Sequence, residues 1–257
     1  MKFSVVTLFP DLVSTAATGF GICGRAEQRG LIGLKTIDPR DFTTDVHRTV
    51  DDRPYGGGPG MVLKVEPVRA AIKAARDGLP KGSPVVFLTP QGRRFDQALA
   101  REWADLPGMV LVAGRYEGFD ERLIESEADD EVSLGDFVLS GGEIAAVAVI
   151  DAVTRLLPNV LGDEQSATQD SFMDGLLDCP HFTRPENVDG VSVPQVLLDG
   201  HHEEIRRWRL KQGLGRTYMR RPDLLKQRLL SEEERQLLDE FLAVQDSDSG
   251  HKDRNPK

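Results

Sequence analysis

The stretch Glu131-Val132-Ser133-Leu134-Gly135-Asp136-Phe137-Val138-Leu139-Ser140-Gly141-Gly142-Glu143 decides how the rest of the chain is read. It is an extended apolar segment broken at Gly135 and closed by a Gly-Gly pair, with helical spacing from Glu143 to Leu157 after it. A junction of this kind turns backbone N–H groups and a helix N-terminus toward one small volume, and glycine lets a ligand approach the main chain. Taken alone, the same residues also suit a tight turn that holds nothing.

Two earlier segments repeat the theme. Pro84-Val85-Val86-Phe87-Leu88 runs into Thr89-Pro90-Gln91-Gly92, and Met109-Val110-Leu111-Val112-Ala113 runs into Gly114-Arg115-Tyr116-Glu117-Gly118. Continuous apolar runs mark strands covered on both faces, as in a parallel sheet. Helical spacing over 66–76 precedes the first and over 96–106 separates the two, and at the start a strand at 3–9 precedes a helix at 12–20. Gly21 to Gly24 should end that helix, with a second short helix at 25–30 and a strand at 31–37. The order strand, helix, strand predicts an α/β layer architecture whose ligand lies at the carboxyl ends of the strands. None of the three turns carries Gly-x-Gly-x-x-Gly, which disfavours a nicotinamide or flavin enzyme.

Residues 38–61 form a long irregular segment holding Asp51-Asp52-Arg53-Pro54-Tyr55-Gly56-Gly57-Gly58-Pro59-Gly60-Met61. No Gly-Lys-Ser/Thr follows the glycines, so a P-loop is excluded. A charged loop able to close over a site and a plain surface loop both remain open.

Past Pro158, residues 159–171 have the polar composition of a linker, and 176–194 are too interrupted for helix or sheet. Helical pattern returns at 201–212, breaks at Gly213-Leu214-Gly215, and resumes at 222–230 and 231–244, where Ser231-Glu232-Glu233-Glu234 matches a capping box. Residues 246–257 are poor in apolar side chains and predict a disordered tail.

The chain has 257 residues, 39% of them hydrophobic, and a formal net charge of −10, so a uniformly basic nucleic-acid binder is disfavoured. The charge is uneven. From His201 to Leu230 nine Lys/Arg oppose three acids, a local +6 that fits one polyanion-contacting face or a solvated helix surface. No run approaches the ~18 apolar residues of a membrane helix, and Pro10-Asp11 interrupts the opening apolar run before a signal-peptide core forms, so the expectation is a cytoplasmic protein without membrane contact. Cys23 and Cys179 suggest neither a disulfide framework nor a zinc site.

The segments 51–61, 114–118 and 133–143, together with Leu177-Asp178-Cys179-Pro180-His181 and Ile205-Arg206-Arg207-Trp208-Arg209, resemble the bacterial tRNA (guanine-N1-)-methyltransferases of the SPOUT class from about Lys2 to Val244. Leu134 and Phe137 stand where that family alternates Ile/Leu and Tyr/Phe.

This resemblance implies a parallel α/β sheet whose C-terminal part is tied in a trefoil knot, followed by a small helical domain. The divisions expected are a cofactor domain at 1–160, a linker carrying the base at 161–175, a tRNA-binding helical domain at 176–245 and the tail at 246–257. It implies a homodimer with shared active sites and a methyl donor, S-adenosylmethionine. The donor would be held by Leu88, Thr89 and Pro90, by Gly114, Tyr116, Glu117 and Gly118, and by Ser133, Leu134, Gly135, Asp136, Phe137, Val138, Leu139, Gly141 and Gly142. The family also implies Mg2+, for which no site is assigned.

Chemistry sets out what the site must contain. Guanine N1 carries a proton that must leave as the atom attacks a methyl group in line, which calls for a positioned carboxylate, and the charge driven onto O6 calls for a cation. By resemblance Asp170 is the base, supplied across the dimer, Arg155 meets the charge on O6, and Glu117 orients donor or base. By residue type alone, Asp170 would cap a helix near Phe172, Arg155 would be a surface ion-pair residue, and Glu117 would pair with Arg122. Resemblance also implies tRNA contacts from Asp51, Arg53, Ser166, Arg184, Arg206, Arg207, Arg209, Lys211 and Arg220 to the anticodon stem-loop. Trp208 fits either a core position or a stacking platform. Two other functions remain open: a non-catalytic nucleic-acid binder using the helices of 201–228, and a ribose 2′-O-methyltransferase on the same fold.

Overall fold

Strand β6 (Gly108–Ala113) is buried along its whole length and shows how the sheet is built. Met109 and Leu111 enter one hydrophobic cluster while Val110 and Val112 enter another, as the two-residue side-chain period requires. The sheet therefore divides two apolar layers.

The computed structural model describes residues 1–162 and 170–252. Ser166 and the rest of 163–169 lie outside them, as do 253–257. The chain divides into two compact units, Met1–Glu164 and Gln165–Lys257.

In the first unit, β1 (Lys2–Val6), β2 (Gly33–Ile37), β5 (Val85–Arg94), β6 and β7 (Asp130–Ser133) make a five-stranded sheet in the order β2-β1-β6-β5-β7. Every pairing in it is parallel. Helices α1 (Pro10–Thr18), α2 (Gly21–Gln28), α4 (Gln97–Ala104) and α6 (Glu143–Thr154) supply the first apolar layer. Helices α3 (Val65–Asp77) and α5 (Glu121–Glu127) supply the second. Short antiparallel strands β3 (Asp51–Asp52) and β4 (Val62–Leu63) bracket the glycine-rich loop. The α/β class and parallel sheet agree with the sequence reading.

Several boundaries differ from expectation. Gly21, with φ 68°, opens α2 instead of sitting in a four-residue break. Helix α5 is absent from the sequence reading because its seven residues are too few for a period; its start is fixed by Asp120 accepting from the Arg122 N–H at 3.0 Å.

The second unit contains α7 (His202–Arg220), α8 (Pro222–Lys226) and α9 (Glu232–Lys252). Helix α7 runs unbroken through Gly213-Leu214-Gly215, where the pattern predicted a stop. A Cβ on Gly215 would sit 2.4 Å from the Phe241 ring, so that glycine admits a neighbouring aromatic rather than ending the helix. The capping box is present: the Ser231 N–H donates to Glu234 at 2.7 Å and the Glu234 N–H to Ser231 Oγ at 3.2 Å. Helix α9 continues to Lys252 past the tail predicted from Asp246, since no proline or glycine interrupts residues 232–249 and extending a helix is easier than starting one. Within the stretch read as unstructured, β8 (Asn187–Val188) and β9 (Val191–Ser192) pair across Asp189-Gly190, both with positive φ, a hairpin turn that Asp-Gly favours.

Candidate active site

Strands β6, β5 and β7 are neighbours and point the same way, so the segments leaving their carboxyl ends meet at one edge of the sheet. Between them lies a cavity of about 310 Å³ lined by Leu88–Gln91, Gly114–Phe119, Val132–Gly135 and Phe137–Gly142, with Glu121, Ile124 and Ala145 behind. Every residue the sequence assigned to the donor lines this cavity except Asp136. Asp136 turns outward and binds Arg94 at 2.7 Å, and the exposure of both side chains leaves that pair weak.

Backbone closeness shapes the cavity. Gly142 N donates to Gly114 O at 2.9 Å, and a Cβ there would lie 2.8 Å from Ala113 Cα. At the β5 irregularity, where pairing with Val132 slips from Leu88 to Arg93, a Cβ on Gly92 would meet Val132 N at 2.2 Å. Any side chain at either position would push the turns apart. Tyr116 holds φ 60°, an uncommon conformation for a residue with a Cβ, at the cavity wall.

A buried ionic network braces the turns, and the sequence reading gave it no role. Glu143, at the start of α6, is 1% exposed; it receives the Thr7 hydroxyl at 3.0 Å and Arg115 Nε at 2.9 Å. Arg115 also donates to Ser140 O at 3.1 Å and lies 4.3 Å over the Phe9 ring. One carboxylate thus joins the ends of β1 and β6 to the turn after β7. The only sequence clue was a Glu directly after Gly-Gly at a helix start, where the N–H groups favour negative charge.

The loop between β3 and β4 rises from the rim. Leu63 N donates to Gly118 O and Glu117 N to Met61 O, both at 2.9 Å, and Glu117 packs over Gly60. Glu117 is not the partner of Arg122, which instead holds Asp120 at 2.6 Å. Asp51 pairs with Leu63 in the short ladder, while Arg53 begins the exposed loop. Arg155 is the half-buried C-cap of α6, where a cation suits the helix terminus.

In the second unit, Asp170 is half-buried and no helix begins at Phe172, whose φ is 73°. Arg206 is bound to Glu203 at 2.7 Å and to Glu233 at 2.5 Å; Arg207 reaches Glu233 at 3.1 Å and Lys211 reaches Glu240 at 3.2 Å. Arg184, Arg209 and Arg220 make no ion pair among the described residues. Asp178, Cys179 and His181 bring potential metal-ligand atoms within 4.8 Å of one another, a grouping the sequence spacing did not suggest. His181 Nε2 already sits 2.7 Å from Asp178, and burial pushes the Cys179 thiol up, away from the thiolate a metal needs.

The model of the family described as tRNA (Guanine-1)-methyltransferase TrmD matches residues 1–227. The chain belongs to that family. Proteins called tRNA (guanine-N(1)-)-methyltransferase from Hahella chejuensis and Methylococcus capsulatus are 61% and 60% identical to it, over 93% and 94% of this chain and 92% and 96% of their own. The protein of that name from Shewanella amazonensis is 57% identical over 96% of this chain and 98% of its own. As a member of the tRNA (guanine-1)-methyltransferase family, the chain matches through the first compact unit and into the second, so the sheet-edge cavity and the whole of helices α7 and α8 fall inside the matched span. Among the described residues no helix is long and apolar enough to cross a membrane.

Proposed function

We propose that this chain transfers a methyl group from S-adenosylmethionine to N1 of the guanine immediately 3′ of the anticodon in tRNA. The observation that carries the reading is the cavity at the ends of β5, β6 and β7, whose walls come so close that a Cβ on Gly142 would collide with Ala113. Such a cradle presents backbone donors and acceptors to a nucleoside and leaves an apolar wall for a ring, which fits S-adenosylmethionine. When bound, that molecule supplies a methyl group on a positively charged sulfur.

The chain's own residues do the rest. Leu88 to Pro90, Gly114 to Gly118 and Ser133 to Gly142, Asp136 excepted, hold the donor. Asp170 of one copy takes the N1 proton at the cavity of the other, which makes a homodimer part of the mechanism. Arg155 stabilises charge on O6, and Glu117 orients the reacting groups; such positioned donors and bases act by matching charge that develops in the transition state. The β7-to-α6 turn belongs to a trefoil knot, residues 161–175 are the linker that brings the base, and 176–245 form the tRNA-binding part. The protein works in the cytoplasm, and any Mg2+ it uses has no assigned ligands.

The test is nucleoside mass spectrometry of tRNA incubated with the protein and the donor. N1-methylguanosine is the expected product. A 2′-O-methylated nucleoside would move the reaction to ribose, and absence of heat on titrating the donor, with or without RNA, would favour a non-catalytic binder.

A further inference from the structure

A second cavity lies wholly within the second unit. It has a volume of about 440 Å³ and is bordered by His181, Phe182, Arg184, Trp208 and Arg209, with one carboxylate, Glu186, against the two guanidinium groups. It shares no residue with the sheet-edge cavity. Trp208 projects from α7 and is only partly buried, so it is neither a core residue nor a freely solvated one. Its ring centroid is 6.2 Å from that of Phe182, tilted by 54°, and Phe182 is 47% exposed.

The charges around these rings are arranged unevenly. Arg206, Arg207 and Lys211 on the same helix are held by Glu203, Glu233 and Glu240, and none of the three borders the cavity. Arg184 and Arg209 do border it, and neither makes an ion pair among the described residues. His181 stands at the rim with its ring fixed by Asp178 at 2.7 Å. Rings with accessible faces beside unpaired guanidinium groups are what an unstacked nucleobase and its phosphate require. An acidic partner would use the cations but leave the rings idle, and an apolar one would bury unpaired arginines at a cost.

We propose that this cavity is a second base-binding site, in which a splayed base of the substrate RNA, other than the one methylated, stacks on Trp208 and Phe182 while Arg184 and Arg209 hold the adjoining phosphates. This inference rests on the RNA reading above and extends it to recognition. Base–aromatic stacking strengthens binding base by base, so loss of one ring should weaken RNA binding by about tenfold.

Trp208 and Trp103 are the two tryptophans, and Trp103 is buried in the first unit, so Trp103→Phe leaves Trp208 as the single reporter. Titrating that full-length variant with an anticodon stem-loop should quench Trp208 emission as a base stacks. In the otherwise unaltered chain, Phe182→Leu should weaken stem-loop binding about tenfold with donor affinity unchanged, and Trp208→Phe should retain more binding than Trp208→Leu. RNA binding without quenching, together with full affinity in Phe182→Leu, would overturn the base site and leave the methyltransferase reading standing. No RNA binding by the unaltered chain would overturn both.

Discussion

The two units present opposite kinds of surface. At the sheet edge the turns pack so closely that Gly142 in the cavity wall admits no side chain, and they are braced by the buried Glu143–Arg115 pair. On α7 the candidate contacts are long, exposed side chains, several already engaged with acids of their own unit. A backbone cradle is set at folding and tolerates little change. A field of exposed cations adapts to its partner, and each member contributes little.

The largest expected effect falls on the chemical step. Asp170→Ala should lower the single-turnover rate by about 10²–10⁴-fold, the usual contribution of a general base, with donor affinity measured by calorimetry nearly unchanged. Arg155→Ala should follow the same pattern. A near-normal single-turnover rate in Asp170→Ala would remove it as the base.

Gly142→Ala tests the cradle itself. Overpacking a tight site costs about 1–3 kcal/mol, and here the added methyl would meet Ala113 Cα and Gly114 N, so donor binding should fall by at least about tenfold. RNA affinity in the absence of donor should hold. Equal loss of both would mean that the cradle and the basic unit are not separable.

Glu143→Ala leaves Arg115 and Thr7 without their shared acceptor. Removing one partner of a buried pair costs about 3–5 kcal/mol, and the Arg115 side chain is 20% exposed, so water recovers part of that. Urea denaturation should show a loss of about 2 kcal/mol. Glu143→Gln, whose single carbonyl oxygen still accepts from one of the two donors, should lose less.

The sequence made the cradle legible because its demands fall on residue type. Turns pressed against turns need glycine, and strands covered on both faces read as unbroken apolar runs, as 85–88 and 109–113 do. The network beneath it was hidden because Thr7, Arg115 and Glu143 are up to 136 residues apart, and no local pattern links them. The same limit misplaced the break at Gly213-Leu214-Gly215. Local propensity reads glycine as a stop, whereas the reason for Gly215 is the Phe241 ring on another helix. Asp136 differs from its neighbours for another reason: the backbone turn carries it along the same segment, but its side chain pairs with Arg94 away from the cavity lining.

Across the basic face, Arg209→Ala should weaken stem-loop binding by a few-fold and flatten the salt dependence by nearly one unit of slope, about 0.7 to 0.9 per phosphate contact. Arg206→Ala should do less, since its guanidinium must first leave Glu203 and Glu233. Equal effects would mean that the internal pairs impose no cost on RNA binding.

The smallest expected effect concerns the start of α9. Burial raises the pKa of Glu234, but the Ser231 N–H and the Arg228 guanidinium outweigh it and hold the carboxyl below its ordinary 4.5. A group depressed in the folded state binds fewer protons there than in the unfolded chain, so its stabilisation is complete above pH 4.5 and fades as pH falls through the folded value. Glu234→Gln should therefore destabilise the protein at pH 7, where the charge on Arg228 loses its partner, and narrow the gap between its stability at pH 7 and at pH 3 relative to the unaltered chain. Denaturant melts at the two pH values decide it. A gap that stays as wide would mean that the acid sensitivity of this unit resides in other carboxylates, Asp178 beside His181 being the next to substitute, because it too is held below its ordinary value against burial.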